Sequence, residues 1–148
     1  MLLVKTKIGQ SQIHGIGLFA DQFIPKGTIT WKEMPPFDLK VSREDVLKLS
    51  PPAKELFLKY SYFSLYSQKY FLCFDDDRFI NHSDEPNVVE GEILAVGEEA
   101  VTIAARDIYP GEELTCDYRS FALEHYENIT DTDRKKANYS DSPAELFR

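Results

Sequence analysis

Apolar and charged residues alternate over residues 2–8, with Leu2, Val4, Thr6 and Ile8 set against Lys5 and Lys7. A period of two marks a strand with one wet face, so the chain is predicted to open on an exposed edge strand. Glycines two apart then lead into the apolar run Ile16-Gly17-Leu18-Phe19-Ala20, which reads as a tight turn entering a strand. Pro25-Lys26-Gly27 turns the chain into a further strand over 28–33. Ser42, followed three residues later by Asp45, forms a capping pattern ahead of Val46, Leu47 and Leu49, and predicts a short helix. Ser50-Pro51-Pro52 ends it, because a residue before proline avoids helical geometry. A second helix is predicted to begin with a proline in its first turn and to run to Tyr60, with Leu56, Phe57 and Tyr60 inward.

Residues 60–74 are dense in aromatics, most of them core by the simplest reading, with 70–74 a strand. Four tyrosines lie within eleven residues of this stretch, many hydroxyls to bury, and some are expected to line a wet channel. A hairpin is predicted from 91–96 and 100–106 around Gly97-Glu98-Glu99, then a turn at Tyr109-Pro110-Gly111-Glu112 and a last strand over 113–118. Ala20, Pro25 and Thr30 recur as Ala105, Pro110 and Thr115, each 85 residues on, an echo that predicts a pseudo-symmetric all-β body of two related hairpins. Residues 121–126 read as helical, and the polar stretch that follows reads as a tail. The expected organisation is a single domain over 1–128, with a helical insert at about 42–60, and a flexible tail over 129–148.

Composition narrows the class. A chain of 148 residues with 43% hydrophobic positions fits an ordinary globular domain. No apolar run is long enough to cross a bilayer and no signal-peptide core opens the chain, so an intracellular, non-membrane protein is expected. Two cysteines, Cys73 and Cys116, suit a reducing compartment and fall short of a structural zinc site, so no metal is expected. A lone strand cysteine is most often a small buried hydrophobe. The formal charge of −8, from 25 acidic against 17 basic residues, argues against direct nucleic-acid binding and suits a basic partner. Oligomeric state is left open.

One stretch is awkward both as core and as loop. Arg78-Phe79-Ile80-Asn81-His82-Ser83-Asp84-Glu85-Pro86-Asn87 mixes apolar residues that want cover with side chains that need hydrogen-bond partners. A polar segment threaded through an interior, against a ligand or another loop, meets both demands. Upstream stands His14-Gly15-Ile16-Gly17-Leu18-Phe19-Ala20, and downstream Gly111-Glu112-Glu113-Leu114-Thr115-Cys116-Asp117-Tyr118. These three motifs, in this order, resemble the SET-domain family of protein lysine methyltransferases from about residue 7 to Tyr118.

That resemblance implies a mainly β, SET-type β-clip fold of short curved sheets with a small helical insert. The Asn81 segment would pass under the Tyr118 segment in a knot-like C-terminal threading. It further implies S-adenosylmethionine as methyl donor and a lysine-bearing protein or basic peptide as substrate, the two entering from opposite faces and meeting through a narrow channel. The backbone around Ile16, Gly17 and Leu18 would hold the amino-acid end of the donor, and Asn81 and His82 its adenosine part. Pro86 and Asn87 would be structural. Asp84 replaces a zinc-binding cysteine found in many members, and no cysteine follows Tyr118 in this sequence, which leaves Phe121 as the candidate cover for the adenine. Tyr118 would be catalytic, orienting the lysine amine at the channel mouth. Tyr70, or Tyr66 in its place, would line the channel with Cys116, whose small side chain predicts di- or trimethylation. Two alternatives stay open here: a catalytically inactive module of this fold that binds a basic peptide, and a small-molecule amine methyltransferase.

Overall fold

Strands of two to five residues, gathered in three small sheets, form the body of the described chain. The structure is a computed structural model and describes residues 1–122; the 129–148 tail and all but the start of the 121–126 helix lie outside the described residues. In chain order the elements are β1 (Thr6–Gln10), β2 (Ile16–Ala20), β3 (Ile29–Trp31), β4 (Leu39–Val41), α1 (Arg43–Leu47), α2 (Pro51–Tyr60), β5 (Tyr62–Phe63) and β6 (Tyr70–Leu72). There follow a 3-10 turn at Asp76–Phe79, β7 (Asn81–His82), β8 (Val88–Glu90), β9 (Thr102–Ala104), β10 (Glu113–Cys116) and a second 3-10 turn at Tyr118–Ser120. The sheets run β1-β2-β10-β7, β3-β9-β8 and β4-β6-β5. The body is mainly β with one helical insert, as the sequence predicts.

Capping decides the insert. The Ser42 side chain accepts from the Asp45 amide, the Ser42 hydroxyl donates to the Asp45 carboxylate, and the two prolines start α2 where no amide proton is needed. Leu56 does not turn inward: it is 61% exposed, and α2 leans on the body through Phe57 and Leu58, which pack on Val46, Phe63 and Tyr70. A second core joins Leu18, Ala20, Ile24, Val88, Ala104, Ile108 and Leu114. Full burial of each large member contributes about 1.5–3 kcal/mol, so this cluster sets the packing of β2 against β10.

Several predicted strands shift. β1 begins at Thr6, because Leu2 leaves that alternation to bridge Trp31 and pack between two cores. β6 stops at Leu72, and Phe74 is exposed against Phe37. The partner of β9 is β8 and not 91–96: Val88 is the buried side chain, whereas Ile93, Leu94 and Val96 stand in water. β4 carries only three residues, at the end of a short apolar–charged alternation over 37–41 that the predicted strands do not include.

The sequence echo has a structural counterpart at a spacing of 84. Gly27 N–H donates to Ala104 O while Gly111 N–H donates to Ala20 O. Ala104 N–H donates to Thr28 O while Ala20 N–H donates to Glu112 O, and Ile24 and Ile108 exchange amide bonds with each other. The strand registers agree, with Ile29 opposite Ile103 in one sheet and Glu113 opposite Phe19 in the other. Gly27 and Gly111 are equivalent turn positions, at φ +83 and +89, and a Cβ added at either would meet nothing within 4 Å. Backbone strain is therefore the whole cost of a side chain there. Gly27→Ala and Gly111→Ala should each lower stability by about 1–2 kcal/mol, read as matching shifts of the urea midpoint. A neutral outcome at one position beside a loss at the other would show that the two turns are not equivalent.

Candidate active site

Two residues of parallel pairing assemble the site. β7 runs beside β10, with Asn81 opposite Thr115 and His82 opposite Cys116, and Ser83 N–H extends the ladder to Cys116 O at 3.0 Å. So short a strand does not hold itself; side chains do that work. Asn87 imitates a strand, its Nδ2 donating to Glu113 O at 2.8 Å and its Oδ1 accepting from Thr115 N–H at 2.9 Å. Past β10 the chain crosses back over the segment. The Tyr118 amide donates to His82 Nδ1 at 3.2 Å, the Tyr118 hydroxyl donates to Ile80 O at 2.5 Å, and Leu65 N–H then bonds Phe121 O. Because Nδ1 accepts, the neutral His82 ring carries its proton on Nε2, facing Asp84 at 3.6 Å.

Asn81 is buried and its Nδ2 is fully committed, to His14 O at 3.1 Å, Ile16 O at 3.3 Å and Glu113 Oε1 at 2.8 Å. The Glu113 carboxylate also receives the Ser11 hydroxyl at 2.8 Å. A Cβ on Gly17 would stand 2.3 Å from that carboxylate. Gly17 thus makes room for the acid that ties β2, β7 and β10 together.

Two cavities meet at this node. One, of about 290 Å³, opens over His14, Gly15, Ile16, Lys59 and Asn81. The other, narrower at about 70 Å³, is walled by Tyr62, Cys73, Asp77, Glu90, Cys116 and Phe121 among others. Tyr60, Arg78, Ile80 and Tyr118 line both.

Electrostatics differ sharply across the junction. Burial, with help from Cys116, Asp77 and Glu113, pushes the Tyr118 phenol well above the ordinary tyrosine range. It is a hydroxyl throughout the physiological range and not a base. Burial also raises Glu90, to about 7, against the opposing bond from the Tyr66 hydroxyl. Glu99 is raised by burial too, while it accepts from Ser64 at 2.7 Å and from Tyr62 at 3.4 Å. In the same wall, the buried indole N–H of Trp31 has no partner among the described residues. A buried donor of this kind is ordinarily satisfied by water.

Ile16, Asn81 and Tyr118 line the first cavity, and Tyr118, Cys116 and Phe121 the second. Several expectations need correction. Leu18 is fully buried in the central strand, its backbone facing β1 on one side and β10 on the other, so nothing of it faces a ligand. His82 sits beneath Tyr118 and positions it. Tyr70 is core, edge-on to Phe63 and Phe57, and Tyr62 from the same sheet takes its place in the wall. Tyr66 stands behind the wall, reaching it only through Glu90. Phe121 packs on Tyr62 and Tyr118, on the side of the second cavity and away from the first. Tyr60, expected as a helix-end core residue, stands in both walls through its contact with Phe79, edge-on at 5.9 Å. Only the tertiary fold brings them together. Cys73 and Cys116 are buried free thiols.

The SET-domain pattern matches residues 15–119, which include all three motifs except His14, and the junction at Tyr118. The chain belongs to the SET-domain family. It is similar to the histone-lysine N-methyltransferase TRX1 of Oryza sativa subsp. japonica, 34% identical over 125 residues that cover 75% of this chain and 11% of that protein. It is also similar to the histone-lysine N-methyltransferase SETMAR of Mus musculus, at 28% over 152 residues, 90% of this chain and 45% of the relative. The chain therefore spans less than half the length of these relatives. Among solved structures, the Polycomb Repressive Complex 2 of Chaetomium thermophilum, in a humanized mutant bound to the inhibitor GSK126, superposes with a TM-score of 0.60 at 21% identity, over 81% of this chain and 15% of that one. A ctPRC2 structure bound to S-adenosylmethionine gives 0.59 at 21%, over 81% and 16%. These likenesses show the SET fold. No helix among the described residues is long and apolar enough to cross a membrane, and no group of three or more His, Cys, Asp or Glu among them could hold a metal ion.

The node built on Gly17 is open to a direct test. Gly17→Ala should push the Glu113 carboxylate off Asn81 and Ser11 and cost about 1–3 kcal/mol through the polar groups left unpaired. In a double-mutant cycle with Glu113→Ala the two losses should be far from additive, since both remove the same contact. Additive losses in chemical denaturation would show that Gly17 serves some other purpose.

Proposed function

We propose that this chain is an S-adenosylmethionine-dependent protein lysine N-methyltransferase that acts on a basic segment of an intracellular protein. The observation that carries this reading is the junction of two cavities at one tyrosine hydroxyl. A donor on one side and an acceptor on the other would meet only there.

The first cavity fits the methyl donor. Arg78 and Lys59 in its lining supply cations for the donor's carboxylate. The Ile16 backbone and the Asn81 Oδ1 are placed for its amino and ribose groups. When bound, the donor supplies a methyl group on a sulfonium. Everything else falls to the protein. The second cavity sets three carboxyl groups, Asp77, Glu90 and Glu99, against the one cation Arg78 in its lining, an excess that suits the ε-ammonium of a lysine. Transfer needs the neutral amine, yet the free side chain titrates at about 10.4. Enclosure between Tyr62, Cys116 and Phe121 disfavours the ammonium. The Tyr118 oxygen, its own proton donated to Ile80 O, then accepts an N–H of the amine and so turns the lone pair toward the methyl group, and most of the acceleration comes from positioning. The relatives' names as histone-lysine N-methyltransferases support the substrate class. So does a ctPRC2 structure in complex with H3K27me3 and H3K27M.

Incorporation of radiolabelled methyl groups into a cell lysate, followed by mass spectrometry, tests the activity and names the target. Tyr118→Phe should cut turnover by about a hundredfold or more, the scale seen when one positioned polar group at the reacting centre is removed. Donor affinity by calorimetry should stay near wild type, because little volume changes. Full activity in this variant would take Tyr118 out of its role, and wild-type protein that binds a basic peptide yet transfers nothing would favour an inactive module.

Product range follows from Cys116. A thiol is a weak donor and holds a water poorly beside the amine, so di- and trimethyllysine should accumulate with the donor in excess. Cys116→Tyr should shift products toward monomethyllysine in time-resolved mass spectra. A wild-type protein that halts after one methyl group would show that other wall residues set the product.

A further inference from the structure

Of the three carboxyl groups that line the second cavity, two already have hydroxyl partners. Glu90 accepts from Tyr66, and Glu99 from Ser64 and Tyr62. Asp77 differs. Its side chain's partner among the described residues is the Cys73 thiol, a weak donor at 3.8 Å. It stands on the 3-10 turn directly before Arg78 and the Asn81 segment, in the same wall as Tyr118 and Cys116. Its surroundings are otherwise poor in cations. Cys73 faces it from just beyond β6, Tyr62 from β5, and Cys116 and Tyr118 from β10 and the turn that follows. Asp75 on its own turn and Asp38 ahead of β4 repel it, the Met1 amino group lies beyond them, bonded to Asp38, and Arg78 and Glu90 line the same cavity. A carboxylate so enclosed calls for a cation.

We propose that Asp77 receives the ε-ammonium of the substrate lysine and takes its proton before methyl transfer. An N–H bond of the ammonium breaks as an O–H bond forms on the Asp77 carboxylate, which leaves the amine lone pair free beside Tyr118. Asp77 then returns the proton to water through the mouth of the cavity and is ionised again for the next turn. The catalytic half of this assignment rests on the methyltransferase reading; ammonium binding does not. Burial, then repulsion by Asp75, raises the Asp77 carboxyl to about 7. That value makes proton uptake from a desolvated ammonium and release to water comparably easy.

The sign of the pH effects follows. Below about pH 7 Asp77 is already protonated and cannot serve, so kcat/KM should fall on the acid side and level off above it. Asp77→Asn should abolish that plateau, with kcat/KM rising tenfold per pH unit toward the lysine's own titration. A merely structural role would lower the whole profile without changing its shape. Because folding raises this carboxyl, its ionisation costs stability as pH rises toward the folded value, and Asp77→Asn should be at least as stable as wild type at pH 8. The variant will therefore fold.

Carbon-13 NMR of aspartate-labelled protein reads the site without any methyl donor. One carboxyl resonance should titrate near pH 7, vanish in Asp77→Asn, and move down by about one unit or more on addition of n-butylammonium. The neutral n-butanol should leave it in place. A midpoint near the ordinary value of about 4, or one that n-butylammonium does not move, would overturn the proposal. Absence of methyl transfer from an intact, amine-sensitive protein would instead overturn the methyltransferase reading and the catalytic half with it.

Discussion

The buried amide of Asn81 is the constraint on which the site depends. Its single nitrogen serves the backbone of the loop before β2 and the carboxylate of β10, and so locks three separate stretches into one node. Parallel pairing over two residues offers too few ladder bonds to survive alone. Around it, Asn87 supplies a strand's worth of donors and acceptors from one side chain, and His82 and Tyr118 close the far end. Such networks are costly when incomplete, because each orphaned group loses water without compensation. Completeness is what makes the tyrosine rigid. A phenol anchored by its own hydroxyl to Ile80 and by its amide to His82 cannot drift from the junction, and orientation is its contribution to chemistry.

How much of this was legible from the residues alone depends on range. Local signals carried well: Ser42 caps α1, the prolines open α2, and the glycine at 111 turns the chain into β10. Signals that depend on a distant partner did not. The apolar stretch 91–96 looks like a strand, but Val88 reaches the core first and leaves Ile93, Leu94 and Val96 without cover. Tyr70 and Tyr62 have the same chemistry, and only the register of β5 against β6 decides which is core and which is wall. The motifs marked the node but did not show how the protein bonds it internally. Gly17 and Asn81 read as ligand contacts, yet Gly17 admits Glu113, and the Asn81 nitrogen is spent on the protein itself. Sequence motifs mark where backbone and side chain are constrained, and they do not say by whom.

Charge tells a similar story at two scales. A formal −8 describes the whole chain, but three carboxyls in the second cavity lie where a substrate would feel them, in surroundings that lift two to about 7. Raised acids need not remain charged before a ligand arrives. A cavity that holds protons until a cation enters avoids much of the cost of burying several charges together. Cation binding would then release protons.

Pseudo-symmetry explains why there is one such site and not two. Related by the spacing of 84, β2 and β9 are counterparts, as are β10 and β3, so the antiparallel couple β2–β10 answers to β9–β3 across the Ile24–Ile108 contact. Both outer edges need a partner, since an open edge exposes unpaired backbone groups. At Trp31 the edge is closed by Leu2, an apolar residue in an antiparallel bridge, and the result is core. At Thr115, its counterpart, the edge is closed by Asn81 in parallel pairing, and the result is a polar node between two cavities. The difference lies in what comes next along the chain. Leu2 runs on into β1 and the packed body, whereas the Asn81 strand must leave through Pro86 and Asn87 and be crossed by Tyr118. Function sits where the two halves close the same edge by different chemistry.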